Sequence, residues 1–239
     1  MAYWQADMAG AGAAYSEALQ RARRLGDRRL LALAMYNAAF PHMFQVEREE
    51  AQRLLAEALA AARELGDAAL EGEVLWGIGT SFWVRGEKAA TEPWYDRALE
   101  ALTGTDAAFI QGWSYRLRGV VRLGRAALEE ARSDLERSPA MFTADGDVSG
   151  VVLLLRDFAE LALTRGDPER ALRLAGAAAG LEAASQTGML GYAQNQIAGL
   201  TGVTASLGRE RAESLMAEGR LMPLEQAIAF ARHPPPHTP

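Results

Sequence analysis

A short helix-stopping signal recurs along this chain at a spacing that a single closed core does not require. Leu25-Gly26-Asp27 returns as Leu65-Gly66-Asp67, a separation of 40 residues. A looser form, Thr103-Gly104-Thr105-Asp106, ends 39 residues later, and Asp145-Gly146-Asp147 ends another 41 on. Glycine just past a helix adopts the left-handed conformation that closes the last turn. The aspartate after it caps the next helix by accepting a free backbone N–H. The 239 residues therefore divide into periods near 40. With two helical segments per period, that predicts an all-α solenoid.

A second punctuation splits each period. It reads Arg85-Gly86-Glu87, then Leu123-Gly124-Arg125, then Arg165-Gly166-Asp167-Pro168, where Pro168 suits a first helical turn. Around Gly124 to Ala131 the third copy carries an apparent two-residue insertion. Small residues recur seven apart in the second helices: Ala11 and Ala18, Ala51 and Ala58, Ala171 and Ala178. That spacing keeps them on one stripe, where alanine permits close helix approach. The plainer alternative is an alanine-rich bundle without a repeat.

Composition removes several function classes. A net charge of −6 argues against non-specific nucleic-acid binding, which needs a basic surface. No cysteine is present, which excludes disulfides, thiolate metal sites and cysteine nucleophiles and is compatible with a reducing cytoplasm. Apolar runs such as Val151 to Leu155 fall far short of the roughly 20 residues needed to span a bilayer. MAYWQADMAG carries no secretory pattern. The expectation is a cytoplasmic protein without membrane contact.

The pattern resembles tetratricopeptide repeats of the longer, 40-residue kind, found in the C-terminal part of large bacterial regulators. The segment Ala217-Glu218-Gly219-Arg220-Leu221-Met222-Pro223-Leu224-Glu225-Gln226-Ala227-Ile228 is similar to the close of LuxR-type and cyclase-associated ATPase regulators. Ala171 to Ala178 and Leu207 to Glu210 add to that likeness. The resemblance implies a right-handed superhelix of helix hairpins, with an ATPase cassette and an output domain elsewhere in a parent protein. It implies repeats over residues 1–182 and capping helices over 183–232, and the proline-rich tail over 233–239 is expected to be disordered.

The N-terminus adds an expectation about partners. The helix from Ala9 to Leu25 lacks a full preceding partner and would present an unpaired apolar side bearing Tyr15 and Leu19. A solenoid normally ends in a polar cap. Either the chain is a piece of a longer protein or its open end docks on a second copy as a homodimer.

In stacked helix pairs the first helices line the inner face. Taking Ala39, Gly79 and Ala159 as close-packing positions puts Met35, Ala38, Leu75, Ile78, Phe82, Leu155, Phe158 and Ala162 in the core. Another stripe then carries Tyr36, Phe40 and Met43, and after it Trp76, Thr80 and Trp83. Gln111, Ser114, Arg118 and Val121 continue it, followed by Leu153, Arg156 and Glu160. The groove residues are expected to be Tyr36, Phe40, Trp76, Thr80, Trp83, Arg118 and Arg156, with Arg116 joining if the insertion rotates the register. Aromatic faces suit rings or apolar side chains, and guanidinium forks suit carboxylates or phosphates. The alternative is that these aromatics only fill gaps between repeats.

Other chemistry finds little support. Pro41 lies inside a helical pattern and should kink it near His42, which either shapes a pocket or is a tolerated bend. Pro93 either kinks its helix or opens one capped by Thr91. His42, His233 and His237 lack metal-ligand spacing, and nothing selects a serine to partner His42. Gly77-Ile78-Gly79 has no phosphate-loop context and reads as close packing or a propensity defect. No catalytic residue, metal or cofactor is expected. The function expected is recognition of a small effector or peptide, as the sensor or scaffold of a signalling or transcriptional regulator. A protein-assembly module is the alternative.

Overall fold

The computed structural model describes residues 8–44, 48–144, 146–185 and 199–233. Among these the regular elements are helices. They run α1 Met8–Leu25, α2 Arg28–Phe44, α3 Arg48–Leu65, α4 Ala68–Val84, α5 Glu92–Ala101 and α6 Ala108–Gly124. Then follow α7 Leu128–Ala144, α8 Val148–Thr164, α9 Pro168–Ser185, α10 Gly199–Leu207, α11 Arg209–Arg220 and α12 Leu224–Arg232. A short 3-10 turn, Lys88–Ala90, precedes α5. The fold is all-α. No described helix is long and apolar enough to cross a membrane.

The chain forms two compact units, residues 1–121 and 122–239, with the boundary inside α6. In the first, α1 packs on α2, α2 on α3, α3 on α4 and α4 on α5, and α2 also touches α4. That order is an array of hairpins in which first helices of successive pairs meet. In the second, α7 packs on α8, α8 on α9 and α9 on α11, while α12 lies on α8 and α9.

The turns explain the rhythm. Gly86 and Gly166 take positive φ, 79° and 78°. Each donates its N–H to the carbonyl three residues back (Gly86 to Trp83, Gly166 to Leu163), and the next residue reaches five back (Glu87 to Phe82, Asp167 to Ala162), at 2.9–3.0 Å. Such paired bonds close a helix end that would otherwise leave carbonyls bare. The third copy makes the same bonds, Ala126 to Leu123 at 3.0 Å and Ala127 to Arg122 at 2.9 Å. There Ala126, not Gly124, is left-handed, with φ 62°. The left-handed positions 86, 126 and 166 thus stand 40 apart on both sides, and the expected insertion near Gly124 is corrected. The irregularity falls between the pairs instead, at Gly104, which is 38 after Gly66 and 42 before Gly146.

The aspartates cap as the stop signal predicts. Oδ1 of Asp27, Asp67, Asp147 and Asp167 accepts the N–H three residues on, from Leu30, Leu70, Gly150 and Arg170, at 2.9–3.1 Å. The bond from Leu70 is the chief reason Asp67 is held below the usual carboxylate range, with Arg29 adding to it. Pro93 opens α5 rather than kinking it, and the Thr91 hydroxyl donates back to the Lys88 carbonyl instead of capping. Pro41 lies inside α2, which continues to Phe44.

Small residues do what their spacing predicts in α3 and α9, where Ala51, Ala58, Ala171 and Ala178 are buried. In α1 the stripe differs. Ala18 is exposed while Leu19 and Ala22 are buried, so the expected unpaired face at Leu19 is corrected: α1 uses that face on α2. Tyr15 is half-buried. Ala11's side chain lies outside the described residues.

The α9–α11 seam is held by glycines. A Cβ on Gly219 would lie 2.0 Å from the Arg173 carbonyl oxygen, and one on Gly176 2.2 Å from that of Met216. Gly180 meets the Arg220 carbonyl in the same way, at 2.5 Å. α12 is then anchored from the side: Arg170 Nη2 donates to the Phe230 and Ala231 carbonyls at 2.7 and 2.8 Å. Its guanidinium also lies 4.9 Å over the Phe230 ring. The last carbonyls of a helix carry partial negative charge, so a buried cation suits them.

At the C-terminus, α9 runs through Ser185, three residues past the boundary expected at residue 182. The next thirteen residues, 186–198, lie outside the described residues, as does the tail beyond His233.

Candidate functional site

The first unit gathers an aromatic run. Tyr36 and Phe40, one turn apart on α2, meet edge to face at 5.2 Å. Phe40 lies 5.9 Å from Trp76 on α4, and Trp76 lies 6.5 Å from Trp113 on α6. Phe109 joins Trp113 at 6.3 Å, and the Arg116 guanidinium stands 5.4 Å over the Trp113 ring. Rings in sequence with a cation at one end form a polarised wall.

Close approach of α2, α4 and α5 depends on two glycines. A Cβ on Gly77 would come 2.9 Å from Tyr36 Cε2, and one on Gly79 2.7 Å from Tyr95 Cε1. Gly77-Ile78-Gly79 is therefore a seat for two tyrosine rings from opposite partners.

The rings are buried more deeply than a groove lining would be. Tyr36 is 5% exposed, Phe40 7% and Trp76 7%, whereas Met35, Ile78 and Phe82 on the expected core stripe are half-buried. The expected register is corrected there, because the inner stripe is the one that neighbouring first helices share. Ala38, Leu75, Leu155, Phe158 and Ala162 are in the core as expected.

Thr80 lies one turn beyond Trp76 and is buried beside Tyr95. Burial pushes the Tyr95 phenol up, while the Thr80 hydroxyl and the Arg116 charge pull it back. Thr80 and Tyr95 do not meet in good hydrogen-bond geometry. Trp76 Nε1, Thr80 Oγ1, Tyr95 OH and Ser114 Oγ are all buried without a hydrogen-bond partner among the described residues. Buried polar atoms are nearly always satisfied by protein or ordered water, so these four have hydrogen-bonding capacity that water or a ligand can meet.

The other expected groove residues go elsewhere. Trp83 is half-buried with Lys88 Nζ 4.7 Å over its ring. Arg118 Nη1 donates to Asp96 on α5 at 2.7 Å, tying α6 to α5. With the register restored, Arg116 stands forty residues after Trp76, and Tyr36, Trp76, Arg116 and Arg156 share one repeat position. Arg116 is 5% exposed; sequence reasoning admitted it only through an insertion, and the left-handed alanine is what places it. Arg156, in the second unit, is 9% exposed; its Nη2 donates to Glu182 and its Nη1 is buried without a partner. Among the described residues no His/Cys/Asp/Glu group could hold a metal ion.

Its fold is similar to that of BtubC (BKLC) from P. vanneervenii. The TM-score is 0.62, and the match covers 97% of this chain and 96% of that one. At 18% identity, the likeness speaks to the fold alone. No family model matches the sequence, and no curated protein does.

Proposed function

We propose that the chain is a non-enzymatic recognition module of the tetratricopeptide type, taking a small effector or peptide at the aromatic run of its first unit. One observation carries this reading: the donors of Trp76, Thr80 and Tyr95 are buried without a hydrogen-bond partner among the described residues. Leaving such groups unmet costs about 1–3 kcal/mol each. Apolar residues of the same shape would avoid that cost, so their presence favours an acceptor arriving from outside. In a cytoplasmic regulator, as the C-terminal resemblance suggests, the ligand would bias an ATPase or output domain by binding one arrangement of the helices more tightly than another.

Trp76→Phe and Thr80→Val each delete a donor while keeping most of the volume. A thermal-shift screen of soluble metabolites and short peptides against the wild type supplies the probes. Hits should weaken by about tenfold or more in each variant, the worth of one good hydrogen bond to an otherwise unmet group. Hits that both folded variants retain would place recognition elsewhere.

The second reading, an assembly module, is favoured by a half-buried stack on α4 and α5. Phe82 and Trp94 lie parallel at 6.2 Å, with Arg85 4.2 Å over the first ring and Arg97 4.8 Å over the second. Concentration-dependent light scattering separates the two readings, since effector binding needs no self-association.

A further inference from the structure

A cavity of about 430 Å³ opens between α1, α2 and α3, clear of the aromatic run. That volume is within the usual range of small-molecule pockets, about 300–1,000 Å³. Pro41, which the sequence marks as a break in α2, forms part of its wall, with Gly12 of α1 close against the ring. Leu19, Ala38 and Leu54 supply further apolar lining.

The polar lining carries both signs of charge. Glu50 accepts two hydrogen bonds from Arg53, at 2.8 and 2.5 Å, and Arg53 also reaches Glu57 at 2.5 Å. Arg23 has no hydrogen bond or ion pair among the described residues, although it lines the same cavity. The Arg53 bond holds the Glu50 carboxyl below its usual range, and the charges of His42 and Arg23 add to that effect. Arg23, His42 and Glu50 thus line one cavity within electrostatic reach of each other. A bare anion entering here would meet Glu50, and a bare cation would meet Arg23. An uncharged ligand would leave the guanidinium unmatched.

We propose that this cavity is a binding site for a small zwitterion with an apolar body, an aliphatic α-amino acid. Its carboxylate pairs with Arg23 and the neighbouring Ser16 hydroxyl, its ammonium with Glu50, and its side chain lies on Pro41, Leu19 and Leu54. The site is independent of the aromatic run, so its failure would leave that reading untouched.

The test is isothermal titration calorimetry of the full chain with three probes. L-leucine carries both charges, 4-methylpentanoate lacks the ammonium, and 3-methylbutylamine lacks the carboxylate. Leucine should bind and each truncated probe should bind at least about tenfold more weakly, the loss of one charge contact. Arg23→Gln and Glu50→Gln are at the surface and should fold normally, and each should cost leucine a similar factor. Absence of heat for leucine at millimolar concentration would overturn the proposal. So would equal binding of leucine and either truncated probe, or leucine affinity unchanged in both folded variants.

Discussion

In the first unit, rings fill the space between neighbouring helices: Tyr36, Phe40, Trp76 and Trp113 follow one another at 5.2–6.5 Å. In the second, α9 and α11 meet backbone to backbone at Gly176, Gly180 and Gly219, and two carbonyls of α12 are held by Arg170. Both solve the same problem, which is to bury the flank of a helix pair. Rings do so by filling a wide gap, and large planar side chains leave polar atoms such as Trp76 Nε1 enclosed among them. Glycines do so by removing the gap. A seam that close leaves no polar atom enclosed between its backbones to be satisfied, whereas the ring-filled gap encloses the Trp76 indole N–H. On the proposed reading, recognition would use the first kind of interface, while the second is built for rigidity.

The sharpest way to break the comparison is Gly219→Ala. The new methyl would fall 2.0 Å from the Arg173 carbonyl oxygen, and neither backbone can yield without parting the helices. Overpacking of this kind costs about 3 kcal/mol or more, measurable as a lower urea midpoint. Arg170→Met comes next. It removes hydrogen bonds to the Phe230 and Ala231 carbonyls and should cost about 2 kcal/mol. Hydrogen exchange should show amides of 224–232 losing protection first.

Gly77→Ala probes the ring-filled kind. Its methyl would meet the edge of the Tyr36 ring at 2.9 Å, a side chain that can tilt, so about 1–2 kcal/mol is expected. A loss equal to that of Gly219→Ala would erase the distinction between the two interfaces. Ala126→Gly should go the other way. The left-handed φ of 62° strains an alanine, so glycine there should stabilise by about 1 kcal/mol and raise the melting temperature.

The smallest effect concerns acid. Asp67 has a depressed pKa, so its contribution is present above the unfolded value near 4 and is lost as pH falls through the folded value. Asp67→Asn keeps a capping oxygen but not the charge, and should flatten that part of the stability profile below about pH 4.

Much of the hairpin array was legible because its signals are local. A glycine past a helix end and an aspartate after it act within four residues, so Gly66-Asp67 and Gly166-Asp167 can be read without knowing any neighbour. Ala126 was not legible, since nothing in an alanine announces a left-handed turn; the sequence pointed to Gly124 and so to an insertion. The candidate site was legible only in part. The 3.6-residue periodicity groups Tyr36 with Phe40 and Trp76 with Thr80, yet it cannot say which stripe faces the next helix. Arg118 shows the limit, because its partner Asp96 is 22 residues away on another helix.

What the sequence determined by itself was therefore the element type, the period near forty residues and most of the caps, all set by interactions along one stretch of chain. Only the tertiary structure decided which aromatics were enclosed, that Arg116 rather than Arg118 stood over the run, and that Pro41 walled a cavity. Those outcomes depend on what approaches each helix from the side, and lateral approach is fixed by the packing of several helices at once.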